Sequence, residues 1–135
     1  MEPIFIELEL ALSLHEVMIE KFGGAHGIRD AGVLESALGA PQNSAIYEGF
    51  EDNEESWARL AGYYWFAISQ NHPFIDGNKR TSFAVSDVFL QINGLQYALS
   101  EDDVIEIGLS LAASGMSREE LLEKLTGNII RAEDC

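Results

Sequence analysis

The run from Glu54 to Gln70 constrains this 135-residue chain more than any other stretch. Trp57, Leu60, Ala61, Tyr64, Trp65 and Ile68 recur at spacings of three and four, which on a helix makes one broad apolar stripe. A stripe with two tryptophans and a tyrosine has to be covered by other elements. This is the helix most firmly expected, and its aromatics are read as core rather than as a platform for stacking bases.

The flanking patterns supply the cover. Leu8, Leu12, Ile19 and Phe22 fall at helical spacing and Gly23-Gly24 supplies a stop. Asp30 is expected to cap a short helix carrying Val33, Leu34, Ala37 and Leu38, ended before Pro41. Residues 42 to 56 break the rhythm: Asn43 to Phe50 has no helical period, and a loop or small hairpin is expected there. A second strong helix opens near Gly77-Asn78, carries Ala84, Val85, Val88, Phe89 and Ile92, and stops at Gly94. Leu95 to Leu99 alternates like a short strand, while Ser100 with Asp103 and Ser117 with Glu120 read as capping boxes. No strand–helix–strand rhythm occurs. The expected fold is all-α: one domain over residues 1–135, with about six helices.

Charge narrows the function. Eight Lys and Arg stand against 23 Asp and Glu, a net of −15. Gripping a nucleic-acid backbone or an anionic membrane needs a basic face, so neither partner is expected. Apolar runs are shorter than the roughly 18 residues that span a bilayer. The start, Met1-Glu2-Pro3, lacks a signal-peptide layout, and the single cysteine, Cys135, can form no internal disulfide. A cytoplasmic location is expected. If such a chain handles a phosphorylated small molecule, its few cations must gather where the phosphates sit.

Two of the eight stand side by side between the two strongest helices, in Asn71-His72-Pro73-Phe74-Ile75-Asp76-Gly77-Asn78-Lys79-Arg80-Thr81. A helix N-terminus presents unpaired N–H groups and the positive end of the macrodipole. Gly77 would let an anion approach the backbone, and Lys79 and Arg80 add full charge in the first turn, where cations are normally disfavoured. Asp76 offers one hard oxygen ligand, which suits magnesium shared with substrate phosphates. His72 can take a proton near neutrality and so could deprotonate an incoming hydroxyl. Each residue alone has a plainer explanation: Asp76 as a helix cap, His72 as a turn residue before Pro73, Lys79-Arg80 as a solvated face. A zinc site on His72 and Asp76 lacks any companion motif. Together, within eleven residues, the plain explanations must all be invoked at once.

This window resembles the signature of the Fic/Doc family, His-x-Phe-x-Asp/Glu-Gly/Ala-Asn-x-Arg, at His72, Phe74, Asp76, Gly77, Asn78 and Arg80. Gly27 to Leu38, then Pro41-Gln42, and Asn78-Lys79-Arg80-Thr81 resemble the death-on-curing (Doc) branch of toxin–antitoxin toxins. The resemblance implies a small helical bundle, with His72 as general base, Asp76 as magnesium ligand, and Gly77, Asn78, Lys79 and Arg80 around nucleotide phosphates. It implies Phe74 as the loop's anchor in the core. A hairpin flap aligns the target peptide in the family, and Ile46 and Tyr47 sit where that flap would be.

The transferred group turns on two positions. AMP-transferring members usually have Gly where this chain has Lys79, and a second Arg where it has Phe83. Both departures point to the Doc branch, whose founding toxin delivers the γ-phosphate of ATP or another nucleoside triphosphate to elongation factor Tu, with Mg²⁺. Pro73 and Gly77, by contrast, resemble the AMP-transferring branch. Phosphotransferase, nucleotidyltransferase and catalytically idle binding module are therefore the three readings, in that order. Ser44 to Gly49 matches the family's inhibitory string, Ser/Thr-x-x-x-Glu-Gly/Asn, but in a stretch expected to lack helical context. Inhibition is accordingly expected from a separate, Phd-like antitoxin. His15, on the first helix, is read as a structural contact.

Overall fold

The computed structural model describes residues 2–132; Cys135 lies outside them. Its axis is α3 (Glu54–Asn71), started by Asn53, whose side chain accepts from the Ser56 N–H. The expected stripe is buried in full: Trp57 is 2% exposed, and Leu60, Ala61, Tyr64, Trp65 and Ile68 are wholly enclosed. Around this axis pack α1 (Leu8–Phe22), α2 (Ala31–Glu48), α4 (Asn78–Ile92), α5 (Glu101–Ala112) and α6 (Arg118–Leu125). The capping boxes at Ser100/Asp103 and Ser117/Glu120 are both formed. Two three-residue strands, β1 (Leu95–Tyr97) and β2 (Ile129–Arg131), pair antiparallel with Leu95 opposite Arg131. The described residues thus form a helical bundle with one small antiparallel ribbon.

The α3–α4 contact positions the chemistry, because the loop between those helices carries the charged window. α4 turns Thr81, Ser82, Val85, Ser86, Phe89 and Leu90 inward. Its serines are small enough to let the helices approach closely. The Ser86 hydroxyl donates to the Ala61 carbonyl at 2.8 Å, and the Tyr97 hydroxyl, 2.6 Å away, therefore donates to Ser86. Burial pushes the Tyr97 phenol well above its ordinary pKa, so it stays a donor. Gly62 of α3 seats α6: a Cβ there would collide with Leu122 Cδ2.

Two expectations are corrected. Residues 42–48 are not a loop or hairpin; α2 runs through Pro41 without stopping, to Glu48. A proline inside a helix removes one hydrogen bond and crowds the preceding turn. Here that turn contains Gly39 and Ala40, and Pro41 is itself buried. Beyond it the chain is fixed by tertiary bonds: Ser44 donates to Glu48 at 2.8 Å, and Arg59 and Tyr63 of α3 reach Ser44 and Glu48. Local period could not register those partners. Ile46 and Tyr47 accordingly lie on the last turn of a helix, 75% and 86% exposed, not on a flap hairpin, and the Ser44–Gly49 string does have helical context. In α1, the buried face is Ala11, His15 and Ile19, while Leu8 and Phe22 of the expected stripe are exposed.

Candidate active site

The α3–α4 loop begins with a helix that ends on a non-glycine residue in left-handed conformation. His72 has φ 48° and ψ 59°, which breaks α3 and turns the chain outward. Two carbonyls left at this helix end find one partner: Arg29 donates Nε–H to His72 O at 2.5 Å and Nη2–H to Asn71 O at 2.7 Å. The segment carrying Arg29 also runs antiparallel to the loop. Arg29 N and Asp30 N both donate to Pro73 O, Ile75 N donates to Gly27 O, and Ile28 bridges to Phe74. Residues 27–30 thus splint residues 72–75 before α2 begins.

Phe74 points from the loop into the core. Its ring is 1% exposed and lies flat on the His15 imidazole, 3.9 Å between centroids and 5° between planes. Asn78 clamps the same residue from α4: its Oδ1 accepts from Phe74 N and its Nδ2 donates to Phe74 O, both at 2.9 Å. The Asn78 amide is thereby engaged by the loop, and what it presents outward is its backbone N–H. Helix geometry leaves the N–H groups of Asn78, Lys79 and Arg80 without an intrahelical acceptor.

Gly77 is the α4 N-cap, at φ 76°, a region costly for other residues, and a Cβ there would sit 2.9 Å from Ile19 Cδ1. Asp76 Oδ1 accepts from Gly77 N at 2.9 Å and Oδ2 from Ala25 N at 3.2 Å. Gly24 makes room for this carboxylate, since a Cβ on Gly24 would lie 2.7 Å from Asp76 Oδ2. The carboxylate is thus oriented by two backbone amides while the residue remains exposed. Among the described residues no three His, Cys, Asp or Glu converge as a metal cage. One exposed, pre-oriented carboxylate beside a helix N-terminus fits a magnesium ion completed by substrate phosphates and water, and does not fit a protein-only cage.

The cations flank this end of α4. Arg80 lays its guanidinium over the Phe22 ring at 4.4 Å, and the stem of Lys79 runs beside Gly108 of α5, whose Cβ position is 3.6 Å from Lys79 Cγ. Both residues remain exposed, and the first turn of α4 has no acidic residue to neutralise them. Phe83, three residues on, turns away into an aromatic cluster with Trp65 and Tyr97, at 5.0 and 6.0 Å between centroids. His72, Asp76, Lys79 and Arg80 are exposed, and Gly77 and Asn78 half-buried, along one stretch of surface from the end of α3 to the first turn of α4. Two shallow cavities lie elsewhere, one beside β1 and β2 and one around Arg59.

Ile46 and Tyr47 are not brought to this surface. Glu48, one residue further, bonds Tyr63, which precedes His72 by nine residues, roughly 14 Å along α3. Conversely, His15, Gly24 and Arg29 join the site from outside the signature window. Two signals for them were present: the paired glycines after α1, and an arginine placed just before an N-cap aspartate.

A model of the Fic/DOC family matches residues 5–90, a span that holds the splint, the loop and most of α4. Over 81 residues the chain is 38% identical to "Toxin Doc" of Mycolicibacterium smegmatis, covering 60% of each protein. Over 91 residues it is 34% identical to "Protein kinase doc" of Escherichia phage P1, covering 67% of this chain and 69% of that one. The matched family model, these relatives and the assembled loop all agree: this chain belongs to the Fic/DOC family.

Proposed function

We propose that this chain is a Doc-like toxin that moves the γ-phosphate of a nucleoside triphosphate onto a hydroxyl of a target protein. The observation that carries the reading is the fate of position 83. A second phosphate-holding cation would be needed there for AMP transfer, and instead a half-buried Phe83 is packed against Trp65 and Tyr97. The phage relative's designation as a protein kinase supports the same direction.

The chain's own groups divide the reaction as follows. Phosphate oxygens lie against the N–H groups of Asn78, Lys79 and Arg80, with the Lys79 and Arg80 side chains spreading positive charge around them. Asp76 holds Mg²⁺, which when bound neutralises phosphate charge and fixes the triphosphate's geometry. His72 accepts the proton of the target hydroxyl. That oxygen forms a bond to the γ-phosphorus as the bond to the β–γ bridging oxygen breaks, and the nucleoside diphosphate leaves with the electron pair. The products are a phosphorylated side chain, a nucleoside diphosphate and a proton on His72.

A translation factor such as elongation factor Tu is the target this reading favours, in the cytoplasm, with a separate antitoxin as the restraining partner. No helix of the described residues is long and apolar enough to cross a membrane, which agrees with that setting. The Ser44–Gly49 string is not read as a restraint in cis, a reading supported by the engagement of its Glu48 with Ser44 and Tyr63. The test is transfer of label from ATP into bacterial lysate proteins, with the label at the α- or the γ-phosphate. Label from γ only, abolished in His72→Ala, is the expected result. Label from α only would replace the reading with nucleotidyl transfer, and none from either would leave a binding module.

A further inference from the structure

The buried His15 does more than pack. Its side of α1 faces the loop, it is 3% exposed, and its Nε2 lies 2.8 Å from the backbone oxygen of Asp76. A carbonyl oxygen can only accept, so Nε2 carries a proton and donates it. The same ring lies flat on Phe74. One imidazole therefore touches the loop at its buried anchor and at the peptide bond linking Asp76 to Gly77.

That peptide bond is one that the chain itself would allow to turn over. Gly77 has no Cβ, so the Asp76–Gly77 plane could rotate about Asp76 ψ and Gly77 φ at little steric cost. Turning it over would withdraw the Gly77 N–H from Asp76 Oδ1 and the Asp76 carbonyl from His15 Nε2, and so release the carboxylate's orientation. His15 holds the carbonyl face of the plane while Asp76 holds its N–H face.

We infer that His15 is a positioning residue, whose Nε2–H fixes the Asp76–Gly77 peptide in the orientation that presents the Asp76 carboxylate and the α4 N-terminus. It touches neither nucleotide nor target. The role rests on the proposed phosphotransfer only in naming what the loop is held ready for; the holding itself belongs to the free protein.

The test separates donor from ring. His15→Phe keeps the stack on Phe74 and loses the N–H, His15→Met fills the volume without either, and His15→Gln restores an N–H near the same point. Amide hydrogen exchange of the free protein is read at Ala25 and Gly77, whose N–H groups bond the Asp76 carboxylate. With one hydrogen bond lost, exchange at both is expected to quicken about five- to tenfold in His15→Phe and His15→Met and to return near wild type in His15→Gln. Interior amides of α3 should be unchanged. In wild type, an imidazole Nε2–H resonance protected from solvent is expected in nitrogen-15 spectra. With ATP present, Mn²⁺ affinity should fall severalfold in His15→Phe and recover in His15→Gln.

Unchanged exchange at Ala25 and Gly77 in both donor-less variants would overturn the inference. So would equal quickening in His15→Gln, which would assign the effect to the ring alone. If wild type binds no Mn²⁺ with ATP while the exchange pattern holds, the phosphotransfer reading fails and the positioning role stands. If His15→Phe does not fold, the comparison of His15→Met with His15→Gln decides.

Discussion

Two polar regions lie along α3, built from similar residue types and put to opposite uses. At its N-terminal half, Ser44, Glu48, Arg59 and Tyr63 satisfy one another: Arg59 donates to Ser44 at 3.0 Å and to the Gly49 carbonyl, while Ser44 and Tyr63 donate to Glu48. Arg118 covers the Tyr63 ring at 4.5 Å. At its C-terminal end, the same inventory of cation, carboxylate and hydrogen-bonding side chain is left open. There the bracing falls on main-chain groups of the loop, through Pro73 with Arg29 and Asp30 and Ile75 with Gly27, while the Arg29 and Asn78 side chains bond loop backbone. His72, Asp76, Lys79 and Arg80 stay exposed. A polar cluster whose charged groups bond each other fastens helices together. One whose scaffold is made from main chain keeps its charged groups for something else.

The sharpest way to break this contrast is His72→Ala. If the loop is the working region, transfer to target protein should fall by about 10²- to 10⁴-fold, the usual worth of a general base. Thermal unfolding should be nearly unchanged, because the His72 side chain is exposed. A large drop in melting temperature with residual activity would make His72 structural. Next in size is Arg29→Ala. Freeing the His72 and Asn71 carbonyls lets a left-handed residue relax, and a base misplaced by about 1 Å can lose up to 10²-fold in rate. Steady-state kinetics should show the loss in kcat with little change in nucleotide KM, and Arg29→Lys should recover only part, since one ammonium cannot reproduce the two-pronged bond.

How much of this was legible before folding differs between the same two regions. The C-terminal end of α3 was readable because its residues are adjacent in sequence: a helix stop, an anion-friendly N-terminus and two cations lie within one window. The partners from α1 and the 27–30 segment were not, because His15 and Arg29 reach the loop across 61 and 43 residues of chain. The other region was misread for a related reason. Pro41 and Gly49 are local breakers, and local rules end a helix at the first. Ser44 and Glu48 continue it because Arg59 and Tyr63 are waiting on α3, a tertiary effect that outweighs propensity. In α1, spacing alone favoured Leu8 and Phe22 as core, yet the face that is buried carries His15, whose nitrogen is satisfied by Asp76.

Arg59→Ala probes the fastening region and should do the converse of His72→Ala. Removing its bonds to Ser44 and Gly49 should cost about 1–2 kcal/mol, a melting shift of about 4–8 °C, with transfer rate per folded molecule unchanged. A lowered rate would mean that the end of α2, with Ile46 and Tyr47, communicates with the loop after all, and the division between fastening and working regions would fail.

The smallest expected effect concerns acid. The hydrogen bond from Ser44 is the largest cause holding the Glu48 carboxyl below its ordinary 4.5; desolvation opposes it next, and Tyr63, Arg59 and Arg118 each lower it further. A carboxylate depressed in the folded state releases its proton more readily folded than unfolded. Its contribution is therefore complete above about pH 4.5 and is lost as pH falls through the lower native value. Glu48 is exposed, so solvent screening keeps that contribution small. Glu48→Gln should lower stability slightly at pH 7 and flatten the decline below pH 4.5, so that the two urea-unfolding curves converge as acid is added. At the other end of α3, replacing Asp76 by Asn should change metal and nucleotide binding and leave the urea midpoint at pH 7 within about 0.5 kcal/mol of wild type, because the residue is exposed. A loss as large as that of Arg59→Ala would show that the Asp76 carboxylate is also bound up in holding the fold, and the openness that distinguishes the two ends of α3 would be lost.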